Sequence, residues 1–260
     1  MNSYLFRQAK MNKTYIYLFS LLTIFASAAN AQVTTKTKPV DYVKSYVGIF
    51  GGISNPLSDF KIADYGNNKA GFAKKGATFG VDGAVYVYKN LAVGGTIQFQ
   101  DQGELTQDDA TALATGYTES FKSDQATTTT VGRYHSYSIM LGPQYSIPVY
   151  KGFIVDLRVS GGLLATRSAP GTTTLLSGTP TQTATFFQAT GKGSAFAYGA
   201  SAALRYKLSD GVSIVVKGNY IKSEGPAVFN DGRTVTNIGR YVTRQPFTVI
   251  QSTLGFNFMF

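Results

Sequence analysis

Apolar and polar residues alternate with a period of two along most of the chain after residue 43, in runs rich in Val, Ile, Phe, Tyr, Thr and Gly. The side chains of a β-strand point alternately to its two faces, so this period indicates strands. Most runs are about 10–14 residues long, which suits a tilted crossing of a bilayer. We predict eight strands, at 44–53, 76–88, 91–101, 132–147, 153–166, 194–207, 212–224 and 248–260.

The connections between these strands alternate between short and long. Short turns are predicted at 89–90, 148–152 and 209–211, and long connections at 54–75, 102–131, 167–193 and 225–247. Short turns at one end and long loops at the other are typical of an up-and-down meander that closes into a barrel. With eight strands, both termini lie at the short-turn end.

The alternation also divides each strand into two faces. In 153–166, Val155, Leu157 and Val159 oppose Asp156 and Arg158. A soluble barrel of the lipocalin type would turn the apolar face inward around a ligand, whereas a membrane barrel turns it toward lipid. The membrane arrangement is favoured by aromatic residues near predicted strand ends, as in an interfacial girdle. These residues are Tyr86, Tyr88, Tyr145, Phe153 and Tyr206. The chain contains no Trp and therefore lacks the Gly-x-Trp signature of lipocalins.

The last predicted strand carries Leu254, Phe256, Phe258 and Phe260 on one face. An exposed row of Phe would favour aggregation in a soluble protein, but it suits a lipid-facing strand. The pattern resembles the C-terminal signal of bacterial outer-membrane barrels. That resemblance implies that Phe256, Phe258 and Phe260 are read by the barrel-assembly machinery, with periplasmic chaperones as earlier partners.

Residues 1–31 have the order of a secretory signal peptide. Basic Arg7, Lys10 and Lys13 precede an apolar run at 15–25, and Ala29 and Ala31 form a small-x-small cleavage site. Either Met1 or Met11 can be the start. We predict a signal peptide at 1–31, a short linker at 32–43 and a barrel domain at 44–260.

Over nearly the whole mature chain, the sequence resembles small eight-stranded outer-membrane barrels of the OmpA/OmpX type, often labelled porin-like. The resemblance rests on the signal peptide, the rhythm of strands and loops, the Gly-rich run at 46–52 and the Phe-terminated last strand. It implies an all-β, antiparallel, up-and-down transmembrane barrel in the bacterial outer membrane. It further implies a monomer with both termini in the periplasm and with no cofactor.

The charge balance is basic, with 24 Lys and Arg against 14 Asp and Glu. An exported chain does not meet the genome and its basic residues are scattered, so nucleic acid is excluded as a partner. Membrane lipid and the phosphates of lipopolysaccharide fit better, with basic loop residues as candidates. These candidates are Lys61, Lys69, Lys74, Lys75, Arg233, Arg240 and Arg244. The acidic segment 101–124 does not match a calcium loop, and we expect a solvated loop there.

If the apolar face meets lipid, the polar face fills the lumen. Five charged residues are then predicted to lie inside and to pair: Asp82, Asp156, Arg158, Arg205 and Lys217. Buried charges need partners, and an eight-stranded barrel is only wide enough for its own side chains. We therefore expect a network that closes the lumen. A gated path for ions or small solutes remains the alternative.

Little in the sequence indicates catalysis. His135 is the only histidine, and the chain has no Cys, so thiol chemistry is excluded. Tyr137 follows His135 on the same strand face, while Ser136 and Ser138 fall on the opposite one. A nucleophile and base are therefore not adjacent. We expect no enzyme, no metal site and a structural or adhesive role through the loops. A narrow pore and a lipid-modifying enzyme are the alternatives.

Overall fold

The computed structural model describes residues 43–67, 69–130, 132–167, 171–178, 182–188, 192–230 and 241–260. The predicted signal peptide and its cleavage residues Ala29 and Ala31 lie outside these ranges, as do Arg233 and Arg240.

The described chain consists mostly of β-strands. In chain order its elements are β1 (Tyr46–Pro56), a 3-10 helix (Ser58–Lys61), β2 (Gly76–Tyr88), β3 (Leu91–Asp101), α1 (Gln107–Phe121), β4 (Gln125–Thr130), β5 (His135–Tyr150), β6 (Phe153–Arg167), β7 (Gly171–Ser177), β8 (Gln182–Gln188), β9 (Lys192–Lys207), β10 (Val212–Ser223), β11 (Ala227–Asn230), β12 (Tyr241–Arg244) and β13 (Phe247–Met259). No helix in these ranges is long and apolar enough to cross a membrane.

Eight of these strands form a closed antiparallel barrel in the order β1-β13-β10-β9-β6-β5-β3-β2. The first and last strands close it, from Tyr46 opposite Met259 to Pro56 opposite Val249. Closure pairs the backbone groups that an open sheet would leave at its edges. The predicted fold class is therefore confirmed. Short turns follow β2, β5 and β9 at what we call the turn end, and the long connections lie at the opposite loop end.

Apolar side chains cover the outside of the barrel and polar side chains fill its inside. Val159 and Phe196 are 65% and 66% exposed, whereas the charged side chain of Arg205 is fully buried. On β6, outward Val159 alternates with inward Asp156 and Arg158. A soluble barrel has the reverse arrangement, so the predicted choice of face is the observed one.

Tyr86 departs from the predicted aromatic girdle. Tyr88, Tyr145, Phe153 and Tyr206 are exposed on the outer face, but Tyr86 is half-buried in the lumen. Tyr86 shares the inward face of Asp82 and Ala84 by the period of two, whereas a register shift between Tyr86 and Tyr88 moves Tyr88 to the outer face at the end of β2. A β-bulge of this kind changes which face the following residues occupy, and a strict period of two cannot anticipate it.

The acidic segment is not the solvated loop that we expected from its composition, because residues 107–121 form α1. Thr106 and Asp109 form a reciprocal capping box at its first turn. Two contacts anchor the helix to the loop that follows β1. Lys74 Nζ donates to Asp109 Oδ1 at 2.8 Å, and the Tyr65 ring lies where a Cβ on Gly116 would be.

The long loops also contain a small sheet of their own. Strands β4, β7 and β8 pair antiparallel in that order, and α1 packs against β4. Thr173 and Leu175 of β7 are buried. Loop residues at this end therefore fold into a defined platform, which strand periodicity in the barrel did not reveal.

Candidate functional site

The charged cluster lies inside the barrel, in the half nearer the turn end. The structure places all five predicted residues there: Asp82 on β2, Asp156 and Arg158 on β6, Arg205 on β9 and Lys217 on β10. Each is 9% exposed or less. They are joined by Tyr46, Thr96, Gln144, Ser146 and Tyr86, whose roles the sequence did not predict.

Asp82 is the centre of the first half of the network. Its Oδ1 accepts hydrogen bonds from Arg158 Nη1 at 2.7 Å and from Lys217 Nζ at 2.8 Å. The Thr96 hydroxyl donates to the same oxygen, and Arg158 Nη2 donates to Oδ2 at 3.1 Å. One carboxylate thus compensates two cations that reach it from different sides of the barrel.

All three guanidinium nitrogens of Arg158 donate hydrogen bonds. In addition to Asp82, its Nε and Nη2 donate to Gln144 Oε1 at 3.0 and 2.6 Å. Nη2 also donates to the Tyr46 hydroxyl at 3.2 Å. The guanidinium lies against β3 at Gly94, where an added Cβ would stand 2.5 Å from its Cζ. Gly94 therefore provides the space that this side chain occupies.

Asp156 and Arg205 form the second half of the network. Arg205 donates to both carboxylate oxygens, from Nη2 at 3.0 Å and from Nε at 3.1 Å. Ser146 donates to Asp156 Oδ1, and Arg205 Nη2 donates to the Tyr86 hydroxyl at 2.9 Å. The guanidinium also stacks 4.5 Å from the centre of the Tyr46 ring. Bidentate pairing and cation–π contact are the strong geometries for a buried arginine.

Tyr46 and Gln144 connect the two halves. The Tyr46 hydroxyl also donates to Asp82 Oδ2 at 3.3 Å, and the Arg205 guanidinium stacks on the ring of the same Tyr46. Gln144 Nε2 donates to the Tyr86 hydroxyl at 3.3 Å. A small cavity remains between the network and the wall at Ser201, Thr253 and Asn257, with room for little more than one water molecule.

An apolar cluster closes the loop end of the lumen. Phe60, from the 3-10 helix after β1, is fully buried with its ring 4.6 Å from Phe247 and 5.2 Å from Tyr134. Burial raises the pKa of the Tyr134 phenol to about 12, so it stays neutral. Inward residues of the barrel complete this cap: Met140, Leu164, Ala197, Ile221 and Val249. The role of Phe60 was missed, because an isolated Phe in a long loop has no periodic signal.

A layer of uncharged polar groups lies between the charged network and the apolar cap. Gln98 and Gln100 on β3 stand opposite Ser138 and Ser136 on β5, and all four are buried. Asn219 donates to Gln251 across β10 and β13 at 2.9 Å. The lumen therefore changes from charged to neutral polar to apolar between the turn end and the loop end.

His135 is not part of a catalytic pair in the described structure. Its ring packs 5.5 Å from Phe99 near Tyr137, whereas Ser136 and Ser138 are buried in the lumen. Within the described ranges, no group of three or more His, Asp and Glu side chains could hold a metal ion.

The predicted C-terminal signal residues lie on the outer surface of β13. Phe256, Phe258 and Phe260 are 46%, 56% and 71% exposed. The Phe260 amide donates to the Ser45 carbonyl at 2.9 Å, beside the seam between β1 and β13.

The closed strand order, the apolar outer face and the filled polar lumen together define a small eight-stranded barrel of the outer-membrane type. No protein-family model matches the sequence, and no curated protein matches it.

Several solved structures are similar to this chain. Neisserial surface protein A is 12% identical over 83% of this chain and 97% of its own, with a TM-score of 0.45. Ail, the attachment invasion locus protein of Yersinia pestis, is 15% identical over 84% and 98%, with a TM-score of 0.40. A major outer membrane protein of Thermus thermophilus is 13% identical over 83% and 99%, also with a TM-score of 0.40.

Proposed function

We propose that this protein is an integral outer-membrane barrel whose short turns face the periplasm and whose folded loops form an outer surface for binding. The role is structural or adhesive rather than catalytic. The observation that carries the proposal is the inverted distribution of polarity, with exposed apolar side chains around the barrel and buried charges within it. In water this arrangement would expose far more apolar area than a soluble protein tolerates.

The apolar face has the height that a bilayer requires. Along β6 it extends from Phe153 to Leu163, which covers roughly 25 Å at ~3.3 Å per residue and a tilt of about 40°. Aromatic residues border this face at both ends. Tyr88, Tyr150 and Tyr206 lie near the turn end, and Phe79 and Tyr137 lie toward the loop end.

The loop platform supports a binding role. The face of its sheet away from the buried side carries Thr127, Thr174 and Thr185 in one cross-strand row. Neighbouring strands lie about 4.8 Å apart, so these hydroxyls form a closely spaced and uncharged surface. Loops held on a rigid barrel are common sites of recognition.

The filled lumen argues against an open pore. Arg158, Lys217 and Asp82 meet within hydrogen-bond distance across it, and the apolar cap at Phe60 covers the other half. Planar-bilayer recording should therefore give no sustained conductance. Stable single-channel steps from the wild type would favour the narrow-pore alternative.

Fractionation and heating test the membrane proposal. The protein should be recovered with the outer membrane and should migrate differently before and after heating in detergent, because a closed barrel resists unfolding when cold. Recovery in the soluble periplasm, with the same mobility in both samples, would contradict the proposal.

Cysteine labelling tests the orientation, since the native chain contains no Cys. A membrane-impermeant maleimide applied to intact cells should label a Thr185→Cys variant on the loop platform. It should label an Asn90→Cys variant at the turn end only after the cells are opened. The opposite pattern would place the loops in the periplasm.

A further inference from the structure

Three basic side chains lie side by side at the loop end of β5, β6 and β9. His135 is directly opposite Arg167, and Arg167 is directly opposite Lys192. Arg167 and Lys192 are exposed on the outer face. Directly opposite residues on antiparallel strands have Cβ atoms about 4.5–5.5 Å apart, so two permanent cations face each other at the barrel rim.

This pair lacks a counter-charge among the described residues. Neither Arg167 nor Lys192 takes part in any ion pair there. The carboxylate in the same cross-strand row is Asp101, opposite His135, and Arg133 Nε already binds it at 2.8 Å. Like charges directly opposite each other destabilise a sheet, so an external anion would be favoured between them.

The surface below the cations changes from polar to apolar over two rows. The first row contains Tyr137, Ala165 and Ser194, with the small Ala165 between two hydroxyl-bearing side chains. The second contains Ile139, Leu163 and Phe196, which are 51%, 62% and 66% exposed. Rows on one face are about 7 Å apart, so the cations stand at the border of the apolar belt.

We propose that Arg167 and Lys192, with His135 beside them, bind a phosphate group of a lipid A-type glycolipid in the outer leaflet. The phosphate supplies the missing negative charge, and the acyl chains of the lipid lie over Leu163 and Phe196. The Arg167 guanidinium suits bidentate contact with phosphate oxygens. This inference rests on the proposed function, because it requires the loop end to lie at the outer leaflet.

Lys222 on β10 provides a matched control. It lies near the loop end of its strand, but its cross-strand neighbours are Tyr198 and Thr248 rather than a second cation. A general attraction between basic rim residues and anionic lipid would involve Lys222 as much as the paired cations. A specific phosphate site at Arg167 and Lys192 would not involve Lys222.

The test uses the full folded chain in uncharged detergent micelles, with bis-phosphorylated lipid A as the probe. Binding is measured by native mass spectrometry for the wild type, the Arg167→Gln/Lys192→Gln double variant and Lys222→Gln. The double variant should bind lipid A at least tenfold more weakly, while Lys222→Gln should bind like the wild type. Without lipid, the double variant should unfold at a temperature no lower than the wild type, because repulsion between the two cations is removed.

Three results would overturn the inference. They are unchanged binding of lipid A in the double variant, an equal loss of binding in Lys222→Gln, and binding of inorganic phosphate to the wild type as tight as that of lipid A, which would show that no lipid is required. If the double variant does not fold, Arg167→Gln and Lys192→Gln are compared singly with Lys222→Gln, and each of the first two should weaken binding while Lys222→Gln should not. If lipid A binding does not depend on Arg167 and Lys192 but the protein still fractionates with the outer membrane, the further inference fails and the proposed function stands.

Discussion

Asp82 Oδ1 stands 2.7 Å from Arg158 Nη1 and 2.8 Å from Lys217 Nζ, so one oxygen joins three strands across the barrel lumen. Arg158 comes from β6 and Lys217 from β10, on different sides of β2 in the circular strand order. This contact fixes strands that share no backbone hydrogen bonds. It also occupies the space through which a solute would pass.

Breaking this contact should destabilise the barrel. Arg158→Ala leaves Asp82 with Lys217 alone and removes the bonds to Gln144 and Tyr46. Removal of one partner of a buried ion pair costs on the order of 3–5 kcal/mol, and less if water enters. Urea unfolding in lipid vesicles should show this loss, while Lys75→Ala at the exposed loop surface should leave the midpoint unchanged. An unchanged midpoint for Arg158→Ala would show that the pairing contributes little to stability.

Gly94→Ala should displace the Arg158 guanidinium. The new methyl would stand 2.5 Å from Arg158 Cζ, and the side chain cannot withdraw without losing its partners. Overpacking of this kind costs typically about 1–3 kcal/mol. Gly51→Ala is the control, since a Cβ there meets nothing within 4 Å. Equal unfolding free energies for the two variants would indicate that the guanidinium adjusts freely.

Phe260→Asp should reduce assembly into the outer membrane more than Met259→Ala does. The Phe260 side chain is 71% exposed on the outer surface, whereas Met259 is partly buried against Tyr46 and Ala84. A charge at position 260 would meet lipid or the interfacial girdle. The heat-modifiable fraction in isolated membranes measures assembly. Equal fractions for both variants would show that the last aromatic side chain is not required.

The helix α1 should lose stability in acid. Burial alone would raise the pKa of the Asp109 carboxyl, but hydrogen bonds from Lys74 and Thr106 hold it below its usual range. A carboxyl whose pKa is lowered in the folded state stabilises the helix at pH values above its unfolded-state pKa of about 3.9. This stability is lost as the pH falls through the folded-state pKa.

Hydrogen exchange of residues 107–121, corrected for the intrinsic effect of pH, measures this loss. Protection should fall below about pH 4 in the wild type. Asp109→Asn should exchange faster at neutral pH, with a loss of about 1 kcal/mol, and should show little further change in acid. Asp108→Asn, at an exposed position in the same turn, should behave like the wild type. Identical acid responses in the two variants would exclude Asp109 as the source.

The period of two was enough to predict the barrel strands and the inward position of Asp156 and Arg158, because polar inward and apolar outward residues alternate along this part of β6. The same period places Tyr86 on the inward face with Asp82, against its predicted place in the girdle, and only Tyr88, after the β-bulge, departs from the period. The roles of Tyr46 and Phe60 were missed for a different reason. Their roles depend on contacts across the lumen, and the hydrogen bond from the Tyr46 hydroxyl to Gln144 spans 98 residues of sequence.

The helix α1 was also missed from the sequence. Its residues Asp108, Thr111, Thr115, Gly116 and Thr118 have low helix propensity, and these outweighed an apolar stripe at helical spacing. The stripe is Ala110, Leu113, Ala114, Tyr117 and Phe121. It is fixed instead by its capping box and by tertiary contacts with Lys74 and Tyr65. Such contacts come from the preceding loop and are visible only in the fold.

The most direct test of the account is the environment of two positions on neighbouring strands of the barrel wall. Nitroxide labels are attached to single cysteines at Val159, which is 65% exposed on the outer face, and at Ser201, which faces the lumen. In lipid vesicles, the label at 159 should be relaxed strongly by oxygen and weakly by a water-soluble nickel chelate. The label at 201 should show little contact with lipid-dissolved oxygen. A label at 159 that is relaxed mainly by the nickel chelate would contradict the assignment of the apolar face to lipid, and with it the membrane function.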